Sequence, residues 1–118
     1  MRRFVLDASI VLTWCFPDEE AQKAEEISER IALGDRPIVT SFWRHEVVNA
    51  LLMGERRKRL TSELTRVFIQ DLERLPVEVD TPDSVTVFHV TQGLCRKHGL
   101  TAYDAAYYLI AEVRAPTP

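Results

Sequence analysis

The sequence predicts a doubly wound α/β fold, and two patterns carry the prediction. Short apolar runs of strand length alternate with longer stretches of helical periodicity, which implies parallel strands joined by helices on both faces of a sheet. The first run, Phe4-Val5-Leu6, is also continuous rather than alternating, as expected of a strand covered on both sides.

Arg3 to Asp7 reads as the first strand, with Asp7-Ala8-Ser9 as the strand-to-helix turn and Ile10 to Phe16 as an apolar helical segment. Pro17 breaks that segment and opens the next helix, because proline fits the first helical turn. From Asp18 to Leu33 the periodicity is helical, with Ala21, Ala24, Ile27 and Ile31 on one stripe, and Gly34-Asp35 ends it. Pro37-Ile38-Val39-Thr40 is a second strand. Ser41 is placed to cap a helix from about Phe42 to Arg59, where Trp43, Val47, Ala50, Leu51 and Met53 recur at three and four residues. Thr61 or Ser62 starts a helix carrying Leu64, Val67, Phe68, Leu72 and Leu75, closed by Pro76. Val77-Glu78-Val79-Asp80 is the third strand. Pro82 begins a helix to about His98, stopped by Gly99, and a last helix runs from Thr101 to near Arg114.

At 118 residues, 46% hydrophobic and 28% charged, the chain has the size and composition of one globular domain, 1–118. No apolar run approaches the ~20 residues that span a bilayer. The amino terminus reaches Asp7 too early for a signal peptide, so the expected location is cytoplasmic, without a membrane. Cys15 and Cys95 form no metal-ligand spacing and read as free, partly buried thiols. The net charge of -3 neither favours nor excludes nucleic acid, since phosphate binding depends on local positive charge.

Open α/β sheets bind ligands at the carboxyl ends of their strands. Asp7 sits there, either as the cap of the following helix or facing a ligand, and Ser9 carries the same two readings. Glu46, at 100° per residue, shares the inward side of its helix with Phe42, Trp43, Asn49, Ala50 and Met53. A carboxylate so placed is costly unless paired or bound to a cation. Asp104 follows Thr101 at the spacing of a capping box, which leaves it free to face a crevice from the first turn. Three carboxylates without a His or Cys partner favour a hard cation, Mg2+ or Mn2+, over zinc. Such a site holds a phosphate and activates water. His45, His89 and His98 are scattered and read as surface or packing residues. There is no glycine-rich phosphate loop. Arg56-Arg57-Lys58-Arg59 is the one concentrated basic run, either a solvated helix end or a contact for an RNA backbone.

Taken together, these segments resemble the PIN domain, and within it the VapC-type toxins. Phe4-Val5-Leu6-Asp7-Ala8-Ser9 resembles that family's first strand, first acid and small-residue turn. Trp43-Arg44-His45-Glu46-Val47-Val48-Asn49-Ala50-Leu51 resembles its second motif, and Gly99-Leu100-Thr101-Ala102-Tyr103-Asp104-Ala105-Ala106-Tyr107 its third. The match spans nearly the whole chain in order. The resemblance implies a three-layer α/β/α fold around a short parallel sheet. It also implies a metal-dependent endoribonuclease, usually a homodimer, held inactive by a cognate antitoxin protein, with RNA as substrate. Asp7, Glu46 and Asp104 map onto the acids around Mg2+ or Mn2+, with Ser9, Asn49 and Thr101 in supporting places. Members of the family normally continue into a strand ending in Thr-x-Asp, which brings a fourth acid, and then a final strand. This chain reaches Pro118 first, so those last strands and that acid are expected to be missing.

Two other readings follow from the same residues. One is a PIN-like binding module that captures antitoxin or RNA without turnover. The other is a receiver-like signalling domain with Asp7 and Asp80 in a phosphorylated pocket, for which the late-strand lysine is lacking.

Overall fold

The computed structural model describes residues 2–16 and 21–114. Among these residues, three strands, β1 (Arg3–Val5), β2 (Arg36–Val39) and β3 (Glu78–Val79), form one parallel sheet in the order β1-β2-β3. Arg3 pairs with Arg36 and Val5 with Ile38, while Ile38 and Val39 pair with Glu78 and Val79. Successive residues of a strand point to opposite faces, and Pro37, Ile38 and Val39 of the central strand are all buried. Both faces of β2 are therefore covered, the reason its sequence is an unbroken apolar run. The mixed α/β architecture with a short parallel sheet is compatible with the expected α/β/α layering.

Among the described residues, six α-helices accompany the sheet: α1 (Ala8–Leu12), α2 (Ala21–Ala32), α3 (Trp43–Arg56), α4 (Ser62–Glu73), α5 (Thr91–His98) and α6 (Ala102–Val113). Their ends follow local chemistry. Asp7 caps α1, its Oδ1 accepting the Ser9 amide at 3.0 Å. Thr61 caps α4 and Thr101 caps α6 through their hydroxyl oxygens, at 3.2 and 3.1 Å. Gly99 ends α5 in the left-handed conformation, φ 67°, which glycine adopts without a Cβ clash.

Several expectations are corrected. α1 stops at Leu12 instead of Phe16, because Thr13, Trp14 and Cys15 bond three residues back and Thr13 Oγ1 turns onto the Ile10 carbonyl at 2.6 Å. The start placed at Pro17 lies outside the described residues, as does the ending Ala115–Pro118. Ser41 does not cap α3. Phe42 occupies that position without a side-chain cap, one residue past Ser41. The stretch from Pro82 to His98 is not one α-helix: Asp83 accepts the Thr86 amide at 2.8 Å, a π-helical turn covers Thr86–Val90, and α5 follows.

The core joins Phe4 and Leu6 of the first strand segment to Val11 and Cys15, to Val39, and to Trp43, Val47 and Leu51 of α3, with Leu60 beneath. Met53, expected on the inward stripe, is exposed, and Gly54 takes the buried position at the end of that stripe. α4 likewise turns Thr65, Phe68, Ile69 and Leu72 inward rather than Leu64 and Val67. Its rotation matches a hydrogen bond from Thr65 Oγ1 to Glu55 of α3 at 2.8 Å. Arg114, just past α6, forks onto Asp80 at 2.8 Å and Glu78 at 3.0 Å, and Arg3 reaches Glu78 at 2.9 Å, so two arginines clamp the acids of β3 and its end. No helix among the described residues is long and apolar enough to cross a membrane.

Candidate active site

The three parallel strands end in register at their carboxyl side. The Leu6 amide donates to the Ile38 carbonyl at 2.9 Å and the Asp80 amide to the Val39 carbonyl at 2.8 Å. Asp7, Thr40 and Asp80 thus follow the last ladder positions side by side, and the amino-terminal end of α3 enters the same edge.

Glu46 lies in the first turn of α3 and Asp104 in the first turn of α6. The positive ends of the two helix dipoles favour a charged carboxylate at each place. Glu46 is half-buried, and its Oε1 accepts a hydrogen bond from the Tyr107 hydroxyl at 2.6 Å. It is thus neither an Arg-paired acid nor an orphan. Burial first, then the bond to Glu46, push the Tyr107 pKa far above that of an ordinary phenol, and the charges of Glu46 and Asp7 add to the rise. The Thr40 hydroxyl pulls the other way. The charge of Asp7 thus bears on the same phenol that Glu46 bonds.

Aromatic contacts hold this corner. Phe42 stands edge-on to Tyr103 at 5.1 Å and to Tyr107 at 6.0 Å, with interplanar angles of 76° and 89°. Tyr103 and Tyr107 are one helical turn apart on α6, so Phe42 is seated against both and docks the start of α3 onto α6. Thr40 Oγ1 is buried and makes no hydrogen bond of good geometry, although it lies near the Tyr107 oxygen.

The other predicted residues are placed as follows. Asp104 is exposed, its backbone amide held by Thr101. Ser9 is exposed and engages Asp7 through its amide. Asn49 is exposed on α3, its amide nitrogen 3.9 Å from Met53 Sδ. Among the described residues, no three His, Cys, Asp or Glu side chains stand close enough to hold one metal ion. Asp7 and Glu46 are the two acids that bear on Tyr107, one through its charge and the other through a hydrogen bond. That donor set fits Mg2+ in one respect: Mg2+ keeps several waters and is bound by one or two carboxylates rather than an all-protein cage.

The basic run lies at the opposite end of α3. Arg56 closes the helix, Arg57 caps it, Lys58 turns with φ 58°, and the Arg59 guanidinium stacks 4.7 Å over the Phe16 ring. Eleven residues separate Glu46 from Arg57, roughly 16 Å along the axis. The three histidines are exposed, as expected, and His98 stacks on Tyr108 at 5.3 Å. Cys15 is buried, Cys95 is half-buried and both are free thiols.

Beside the acids opens a mostly apolar hollow of about 330 Å³, walled by Thr40, Phe42, Tyr103, Ile110 and Arg114 among others. None of Asp7, Glu46 and Asp104 lines it, so it adjoins the acidic corner without containing it. Sequence reasoning singled out neither Tyr107 nor Thr40. The signal available for Tyr107 was its place three residues after Asp104, on the same helix side.

No protein-family profile matches the chain. A relative is Ribonuclease VapC3 of Pyrobaculum aerophilum, 28% identical over 111 residues, which cover 93% of this chain and 82% of that protein. The likeness supports a VapC-type relationship, and that protein's name describes a ribonuclease.

Proposed function

We propose that this chain is a metal-dependent endoribonuclease, the toxin of a toxin–antitoxin pair, folding as one PIN-like domain over residues 1–118. The observation that carries the reading is the Tyr107–Glu46 hydrogen bond at the carboxyl edge of a parallel sheet, where Asp7 follows β1 and where such folds bind their ligands. The likeness to a VapC ribonuclease over most of both chains points the same way.

In this reading Asp7 and Glu46 hold Mg2+ or Mn2+, and Asp104 approaches from the first turn of α6. A divalent cation supplies Lewis-acid polarisation of a phosphodiester and charge to offset that of the leaving oxygen. Asp7 keeps one carboxylate oxygen on the Ser9 amide, which fixes its rotamer and leaves the other oxygen for the ligand. Glu46 is fixed in the same way by Tyr107. Ser9, Asn49 and Thr101 support the acids, and Arg56, Arg57, Lys58 and Arg59 contact the RNA backbone away from the scissile bond. The partners are a cognate antitoxin and a second copy of the chain, in the cytoplasm.

A second reading is favoured by the absence, among the described residues, of a closed three-acid group: a PIN-like module that captures antitoxin or RNA without turnover. Cleavage of end-labelled RNA with Mn2+, beside Asp7→Asn and a chelator control, separates the two. Loss of an outer-shell partner of a metal costs about 10- to 100-fold, and loss of a direct ligand costs at least as much. The expected result is therefore cleavage by the parent, abolished by chelator and reduced about 100-fold or more in Asp7→Asn. Equal cleavage by the variant removes Asp7 from the site. No cleavage by folded parent, together with tight RNA or antitoxin binding, establishes the module instead.

A further inference from the structure

We infer that Tyr107 is a positioning residue for Glu46, fixing the carboxylate through Oε1 and leaving its second oxygen for a cation. The inference rests on the metal-dependent reading of the acids and deepens it by adding a residue from a helix 61 positions away.

The 2.6 Å contact lies in the range of charge-assisted O–H···O⁻ bonds, which are shorter and stronger than neutral ones. The donor is itself held. Phe42 packs edge-on against the Tyr107 ring, and Tyr103 braces Phe42 from the neighbouring turn. The phenol is half-buried, so water competes little for its donor. A glutamate at a helix surface ordinarily samples several rotamers, and ordering it carries an entropic cost. With Oε1 committed to a braced phenol, Glu46 is ordered before any cation arrives. A tyrosine that only filled space would need the ring and not the hydroxyl.

The experiment compares the full chain with Tyr107→Phe, Glu46→Gln and the double variant. Mn2+ binding is measured by calorimetry and by the free-Mn2+ electron paramagnetic resonance signal, and unfolding constants by urea titration. Tyr107→Phe keeps the ring. It is expected to fold, to raise the Mn2+ Kd about tenfold, the scale of outer-shell partners, and to leave Kd unchanged when Glu46 is already glutamine. Unfolding constants of the pair should be non-additive by about threefold or more, as for groups in direct contact. If the parent binds Mn2+ and Tyr107→Phe binds it within twofold as well, the positioning role fails while the metal reading stands. If the parent binds no Mn2+, the metal reading fails and carries the role with it. Tighter binding by the variant makes the phenol a competitor and overturns the proposal. A Tyr107→Phe chain that does not fold also overturns it, since that assigns the hydroxyl to stability.

Discussion

Leu51→Ala tests the scaffold that presents Glu46, because Leu51 is fully buried on α3 between that helix and the core around Val11 and Leu60. The change removes three carbons, worth about 2.4 kcal/mol at roughly 0.8 kcal/mol each. The surroundings relax only partly, so a cavity contribution raises the loss to about 3–4 kcal/mol, within the range for buried leucines. At about 2.1 cal/mol/K per residue, a chain of 118 residues has an unfolding entropy near 0.25 kcal/mol/K, which converts the loss to a fall in Tm of about 12–16 °C. The assay is urea unfolding followed by tryptophan fluorescence, for which the buried Trp43 is a reporter on the same helix. Leu33→Ala is the control. Leu33 is 85% exposed, and its truncation should stay within about 0.5 kcal/mol. A loss below about 1 kcal/mol for Leu51→Ala, or equal losses for both, would refute the placement of α3 on the core.

Two further predictions concern titrating groups. The hydrogen bond from Arg3, helped by the charges of Arg3, Arg114 and Arg36 and opposed by desolvation, holds Glu78 below the ordinary carboxylate range. A lowered folded-state pKa contributes stability above the unfolded value, about 4.3, and loses it as pH falls through the folded one. Glu78→Gln should therefore flatten the acid limb of stability between pH 5 and pH 2, and parallel limbs for parent and variant would contradict the clamp. Burial, with a smaller contribution from the charge of Asp71, pushes the Cys15 thiol up to about 11. Iodoacetamide at pH 8 should label Cys95 well before Cys15, read by peptide mass spectrometry, and equal rates would refute the burial of Cys15.

Local chemistry was legible in the sequence wherever it is completed within a few residues. The caps at Asp7, Thr61 and Thr101, the stop at Gly99 and the three strand positions each depend on a side chain or a backbone preference acting on its neighbours. The periodicity located α3 and α4 and most of their inward residues, Trp43, Val47, Leu51, Phe68 and Leu72 among them, but it also assigned Met53, Leu64 and Val67 to the core. Helical spacing gives a face only to within a residue or so, and the partner chosen for that face sets the rotation, as the Thr65–Glu55 bond does for α4. The π-helical turn at Thr86–Val90 was invisible for a related reason: an extra residue in a helix changes no composition and leaves no pattern of its own.

The acids themselves could be read from the sequence, but their company could not. Asp7, Glu46 and Asp104 each have a local explanation at a helix start, and the sequence alone determined that three such carboxylates exist on a strand-and-helix frame. Tertiary structure decided that Glu46 meets Tyr107, that Phe42 is wedged against Tyr103 and Tyr107, and that Arg114 closes on Asp80 and Glu78. The physical reason is range. Caps and turns are fixed by atoms a few bonds apart, whereas these contacts join residues 34 to 65 positions apart, whose meeting depends on how α3 and α6 pack at the end of the sheet.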